Sequence, residues 1–272
     1  MKNRLNSFGV IVLAAVIGFG MAAIPAGAQQ YNPESDFQTR QTSDGSGVVI
    51  TKYIGISKTV NVPPRIGGLP VVGIGNKAFP AILDFEGYPM PYVSITIPNT
   101  VVSIGDKAFS DNRLSSIVIP SGVTAIGDNT FEGNRFTSVI IPDNVTSIGK
   151  SAFASNHLMT SIVIPNNVTS IGESAFRQNI ELTSVTIGNS VTSIGDWAFS
   201  SNRRLAVIVI PDSVTRIGDR AFEDTALTSI TIGGNLSLNW NSFPDSFVDA
   251  YNKANKQAGT YVLDDNYEWV RQ

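Results

Sequence analysis

Between Tyr92 and Phe243 the chain repeats one arrangement of apolar and polar positions seven times. Two consecutive copies, residues 137–153 (TSVIIPDNVTSIGKSAF) and 160–176 (TSIVIPNNVTSIGESAF), are nearly superimposable. The closing phenylalanines Phe109, Phe131, Phe153, Phe176, Phe199, Phe222 and Phe243 follow one another at steps of 22, 22, 23, 23, 23 and 21. A period in the twenties with apolar residues at fixed offsets predicts a solenoid. Each coil leaves an apolar inner face that only a stacked neighbour can bury.

Within one coil the pattern predicts the elements. Ile162 and Ile164 alternate as a strand requires, and Pro165, without an N–H for a ladder, ends that strand. Pro98, Pro120, Pro142 and Pro211 hold the same place, with Gly188 and Gly233 replacing it in two coils. Val168 and Ile171 are expected to point inward from the opposite wall. Gly172 is expected to make a tight turn at positive φ, and Ser174-Ala175-Phe176 a short helical turn that plugs the coil with a ring. Asn112, Asn134, Asn156, Asn179 and Asn202 recur in the turn before each strand, where stacked amides can satisfy turn backbone groups. The fold class read from this pattern is a β-rich solenoid with parallel strands on one face, short strands and helical turns on the other, and caps at both ends.

The ends depart from the period. Residues 29–79 read as an N-terminal cap and first degenerate coil: Val48 to Tyr53 alternates as a strand, Val60-Asn61-Val62-Pro63 imitates strand plus proline, and Phe79 completes a coil. The repeats occupy 80–243, and the step of 30 from Phe79 to Phe109 marks a loop inserted at 80–91. Inserted loops on repeats are either tolerated surface excursions or parts of a binding face. From Pro244 the repeat stops. Residues 244–272 read as a C-terminal cap, with a helix near Ser246–Lys256 and a hairpin of Gly259–Asp264 and Tyr267–Val270. Such a cap would cover a sheet edge otherwise open to pairing with another chain.

Residues 1–28 read as a secretory leader: Lys2 and Arg4, an apolar run from Val10 to Gly20, and a small-residue cleavage site at Ala26-Gly27-Ala28. The apolar run is short for a membrane span, which needs about 20 residues. There is no cysteine, so an exported chain must rely on its core, without disulfides. Removing Lys2 and Arg4 from the 19 basic residues leaves 17 against 22 acidic, a net charge near −5. That balance supports neither nucleic acid nor an anionic membrane surface as partner.

Chemistry of the enzymatic kind finds no foothold. One histidine and no cysteine leave no Cys–His dyad and no multi-histidine metal site, and no phosphate loop, dinucleotide fingerprint or nucleophile elbow appears in context. The sequence implies no cofactor and no metal. The column Asp106, Asp128, Lys150, Glu173, Asp196 and Asp219 is broken by Lys150 and lacks calcium-repeat spacing, so acidic residues opening a turn account for it.

What remains is surface. The outward strand positions include Thr96, Val118, Ile140, Val163, Thr186, Val209 and Thr231, and no charge occupies this face in seven coils. Its centre is a Val118–Ile140–Val163 column. An adhesive surface for protein and a plain strand preference for Ser, Thr and Val are both consistent with it. Arg113, Arg135, His157 and Arg203 (with Arg204) follow the asparagine column. They read either as a basic edge for an acidic partner or sulfated glycan, or as solvated turn residues.

The unit LxxIxIPxxVTSIGxxAFxxN resembles the leucine-rich repeat class named for Treponema pallidum and found in BspA-like surface proteins; the match runs from Val60 to Phe243. The segment AYNKANKQAGTYVLDDNYEW is similar to a tail seen on spirochaete members. The resemblance implies a right-handed leucine-rich-repeat solenoid with a parallel sheet. It also implies an exported protein engaged in attachment to host matrix proteins, host cells or other bacteria, with no catalytic residues to carry over. The expected function is therefore an exported protein-binding module acting through the repeat sheet face. A periplasmic scaffold without host contact is the alternative.

Overall fold

The computed structural model describes residues 30–83, 89–90, 92–234, 236–238 and 241–272. The leader expected at 1–28 and the middle of the insertion expected at 80–91 lie outside them. Residues 31–272 form one β-rich solenoid of about eight coils, each marked by a ring from Phe79 to Phe243.

Three walls enclose each coil. On the front wall Ser161–Val163 runs as a strand, with Ile162 inward and buried and Val163 outward. At Pro165 the strand ends and the chain bends, and the Pro165 carbonyl accepts the Val168 N–H at 3.1 Å. The chain returns along the back wall as the two-residue strand Ser170–Ile171, burying Val168 and Ile171. The third wall is the phenylalanine turn.

That turn is not the single helical turn the sequence suggested. Ser174 sits at φ +56°, as do its counterparts Lys107, Asn129, Ser151, Trp197 and Arg220 at similar angles. Left-handed conformation costs a non-glycine residue roughly 1–2 kcal/mol. Here it aims every second N–H at the next coil. Ser151, Phe153 and Ser155 donate to the carbonyls of Glu173, Ala175 and Arg177, each at 2.8 Å. Three hydrogen bonds, each worth about 0.5–1.5 kcal/mol, offset the conformational cost.

The role expected of Gly172 is likewise corrected: it is not among the positive-φ glycines. A Cβ on Gly172 would lie 2.6 Å from the carbonyl carbon of Gly149. These glycines exist because neighbouring coils touch backbone to backbone there.

The back wall, not the front, carries the long ladder. Ala125–Ile126, Ser147–Ile148, Ser170–Ile171, Ser193–Ile194, Arg216–Ile217 and Ser237–Leu238 form one six-stranded parallel sheet in unbroken order. Thr169 doubles the tie by giving both its N–H (2.9 Å) and its hydroxyl (3.1 Å) to the Thr146 carbonyl, and Thr192 repeats this on Thr169. On the front wall the strands pair in separate sets: Thr59–Asn61 with Ser94–Thr96, Ser161–Val163 with Ser184–Thr186, and Val207–Val209 with Ser229–Ile232. Ile140 joins Val163 through an isolated bridge.

One junction is looser than the rest. Ser103–Ile104 closes the N-terminal sheet and Ala125–Ile126 opens the next, and the two do not pair. Among the described residues no backbone hydrogen bond joins 116–119 to either neighbouring coil, so the front wall is open there too. The turn wall alone carries a backbone ladder across the boundary, with Lys107 donating to Asp128 and Phe109 to Thr130. Local composition supplies a reason. Asn144 and Asn167 clamp the preceding coil through Ser121 and Asp143 carbonyls at 2.8 Å, whereas Gly122, at that position one coil earlier, has no side chain to donate. Val102 leans on Gly122 instead, its Cγ1 3.0 Å from where a Cβ would stand.

Stacked rings fill the centre. From Phe79 to Phe222 successive centroids lie 5.0–5.7 Å apart and the rings tilt by no more than 19°. That spacing slightly exceeds the 4.7–4.9 Å between paired strands. At the start, Phe37–Gln41 pairs antiparallel with Val48–Tyr53, which runs parallel to Leu69–Ile74. At the finish, the helix Asp245–Lys253 sets Phe247 against Phe243 at 4.9 Å. The hairpin Gly259–Leu263 and Trp269–Arg271 adds to the edge of Ser229–Ile232. Among the described residues no helix is long and apolar enough to cross a membrane.

Candidate binding face

Strand alternation places Thr96, Val118, Ile140, Val163, Thr186 and Val209 on the outside of the front wall, all exposed. Ile140 is the extreme case at 85% exposure, with Val118 at 62% and Val163 at 56%. Thr231 differs. It is half-buried, because the Gly259–Leu263 strand pairs beside it and the Thr260 hydroxyl lies 2.9 Å from its own. The stripe therefore begins at Thr96 and is closed off by the hairpin at Thr231.

The apolar centre coincides with the open part of the wall. A groove of about 370 Å³ is bounded by Ile119, Ser121 and the segment from Ile140 to Asn144, beside the coil whose residues 116–119 lack ladder bonds. Ile140 stands at its lip. Large aliphatic side chains held in water cost hydration free energy of roughly 25 cal/mol per Å².

The four basic residues of the turn edge do not share one environment. Arg203 pairs with Asp224 at 2.9 Å, and its neighbour Arg204 with Glu181 at 2.5 Å. The His157 ring nitrogen Nδ1 lies 2.9 Å from the Gln178 carbonyl. Arg113 and Arg135 are exposed and have no ion pair or side-chain hydrogen bond among the described residues. The charge available on this edge is concentrated at Arg113 and Arg135.

The asparagine column is structural. Asn179 is buried, its Nδ2 donating to the carbonyls of Phe153 and Phe176 at 3.2 and 2.9 Å, and its Oδ1 accepting the Asn156 N–H at 2.8 Å. The acidic column works similarly: Asp106, Asp128 and Asp196 each accept the backbone N–H of the residue one coil on, at 2.8–2.9 Å. With an oxygen committed to backbone, these carboxylates serve as inter-coil ties. Among the described residues no cluster of three His, Asp or Glu side chains is placed to hold a metal.

Two features were not anticipated from sequence. Trp197 has guanidinium groups over its ring from the coils before and after it, Arg177 at 5.2 Å and Arg220 at 4.7 Å. Their offsets from the phenylalanines differ (one after, two before), so the stacking shows only once coil spacing is known. The second is an open cleft of about 550 Å³ in the C-terminal elements, floored by Tyr261 and Trp269 with Asp249, Lys253 and Glu268 at its sides.

The description BspA type leucine rich repeat region (6 copies) matches residues 85–206 and 125–248, more than half of the chain. The chain belongs to the BspA-type leucine-rich repeat family. Such repeats are generally non-catalytic binding modules of surface proteins, consistent with a site made of wall and edge. Among solved structures, a leucine rich cell surface protein from Faecalibacterium prausnitzii is 27% identical with a TM-score of 0.65, over 90% of this chain and 61% of its own. This BspA-type chain thus spans about three-fifths of that protein. A Treponema pallidum leucine-rich repeat protein is 25% identical with a TM-score of 0.59, covering 82% of this chain and 95% of its own. No curated protein matches the chain.

Proposed function

We propose that the protein is exported and binds other proteins through its front wall, as an attachment module for host matrix proteins, host cells or other bacteria. The observation that carries this reading is the uncharged stripe Val118–Ile140–Val163. Its central residue is 85% exposed on an otherwise well-buried scaffold. Contiguous exposed apolar patches mark interaction sites, and repeat scaffolds bind along extended surfaces. The similarity to the F. prausnitzii leucine rich cell surface protein supports placing this chain outside the cell.

The test is binding of the purified protein to a panel of immobilised matrix proteins, with Ile140→Glu and Val163→Glu as probes. Both substitutions lie on the surface and should shift stability by less than about 1 kcal/mol, while abolishing binding. Equal binding by wild type and both variants removes the front wall as the site. Protease treatment of intact cells addresses location: a surface protein is cut, whereas a periplasmic scaffold survives until the envelope is opened.

A further inference from the structure

The geometry points to a partner segment of defined chemistry: an extended peptide carrying an aliphatic or aromatic side chain flanked by Asp or Glu, seated across the coils of Val118, Ile140 and Val163. This rests on the front-wall reading above and names what that wall selects. Three independent features meet on these coils and nowhere else among the described residues. The most exposed aliphatics of the front wall lie there. So does the groove beside Ile140, about 370 Å³, at the small end of the range for ligand pockets and suited to single side chains.

The third feature is charge. Arg113 and Arg135 each stand five residues before an outward apolar residue, Val118 and Ile140 respectively, in the turns that feed those strands. Three and four coils further on from Arg135 and Arg113, the equivalent arginines are neutralised by Asp224 and Glu181. The unpaired positive margin therefore runs only alongside the apolar stripe. The outward strand positions themselves carry no charge, and the one carboxylate lining the groove, Asp143, follows the proline that ends the strand, at the far end from Arg113 and Arg135. Electrostatic selection of the flank therefore falls to the arginine margin, where each guanidinium fork can bind a carboxylate through two parallel N–H···O bonds. A sulfated glycan would use the arginines but leave the aliphatic stripe wet, which is why a peptide is favoured. Complementary charge at a rim governs specificity and on-rate more than affinity.

A random dodecapeptide phage library selected on the purified wild-type protein tests this, with each enriched peptide re-measured on Ile140→Glu and on the double variant Arg113→Glu/Arg135→Glu. The proposal expects enriched peptides with Asp or Glu within two positions of a large apolar residue. Their affinity should fall at least tenfold on either variant, and the association rate on the double variant should recover with added salt. Peptides that need Ile140 but ignore the arginines overturn the acidic flank and leave the front-wall reading standing. Peptides indifferent to both variants, or no enrichment at all, overturn both. Heparin retention that depends on the arginines and not on Ile140 overturns the peptide in favour of a sulfated glycan. Circular dichroism melts matching wild type establish that both variants fold.

Discussion

Asn179 Oδ1 accepts the backbone N–H of Asn156 at 2.8 Å across a coil boundary, while its Nδ2 binds the carbonyls of Phe153 and Phe176. One buried amide thus satisfies backbone groups of two coils, and Asn202 does the same for the next boundary. The chain of amides skips two links: the Oδ1 atoms of Asn112 and Asn156 are buried with no partner among the described residues.

Replacing Asn179 with alanine should cost about 1–3 kcal/mol, since it strands the buried Asn156 N–H, while the Phe153 and Phe176 carbonyls each keep one amide donor, from Asn156 and Asn202 at 3.0 Å. Urea denaturation of the two proteins checks this. Asn179→Asp keeps the acceptor but sets a carboxylate against two carbonyls, so its pKa is raised in the folded state. Its penalty relative to alanine is full above that raised pKa and gone below about 3.9, the unfolded value.

Gly172→Ala should destabilise by about 1–3 kcal/mol despite adding one methyl group, because the new Cβ falls 2.6 Å from the Gly149 carbonyl carbon. Gly45→Ala, where no atom lies within 4 Å but φ is +71°, isolates conformational strain and should cost about 1–2 kcal/mol. If thermal melts showed the two equal to wild type, coil contact would not be what selects glycine in the repeat.

Hydrogen exchange should find the loose junction. The Thr124 amide has no inter-coil bond, whereas the Thr169 and Thr192 amides donate at 2.9 Å. Thr124 and the amides of 116–119 should exchange at least tenfold faster than their equivalents two coils on. Uniform protection along the solenoid would show that the junction is as firm as the rest.

Acid should release the turn at residues 42–46. The Thr42 hydroxyl, then the Ser46 N–H and hydroxyl, hold the Asp44 carboxylate from an ordinary 3.8 to about 2. A depressed carboxylate contributes order above its unfolded pKa and loses it as pH falls through the folded value, here between about 4 and 2. Carboxyl carbon shifts followed by NMR should give a midpoint near 2 for Asp44, and a midpoint near 3.8 would mean the turn does not hold.

Much of this molecule was legible before any coordinates. The buried ladders and the phenylalanine stack follow from residues whose neighbours recur at one fixed distance along the chain, so a local pattern fixes a three-dimensional contact. Val163 and Ile140 are outward for the same reason: strand alternation leaves no other side. Ser174 and Gly172 depart from the sequence expectation because a single coil does not show which residue of the turn takes the left-handed angle and which meets the neighbouring backbone.

By itself the sequence determined the solenoid, its period, its core and the absence of charge on the front wall, because repetition converts spacing into packing. Only the tertiary structure decided that the back wall, not the front, carries the continuous ladder, that the junction at Gly122 is loose, and that Arg203 and Arg204 are neutralised while Arg113 and Arg135 are not. Those outcomes depend on which side chains of different coils reach one another, to within an ångström, and no pattern inside one repeat contains that distance.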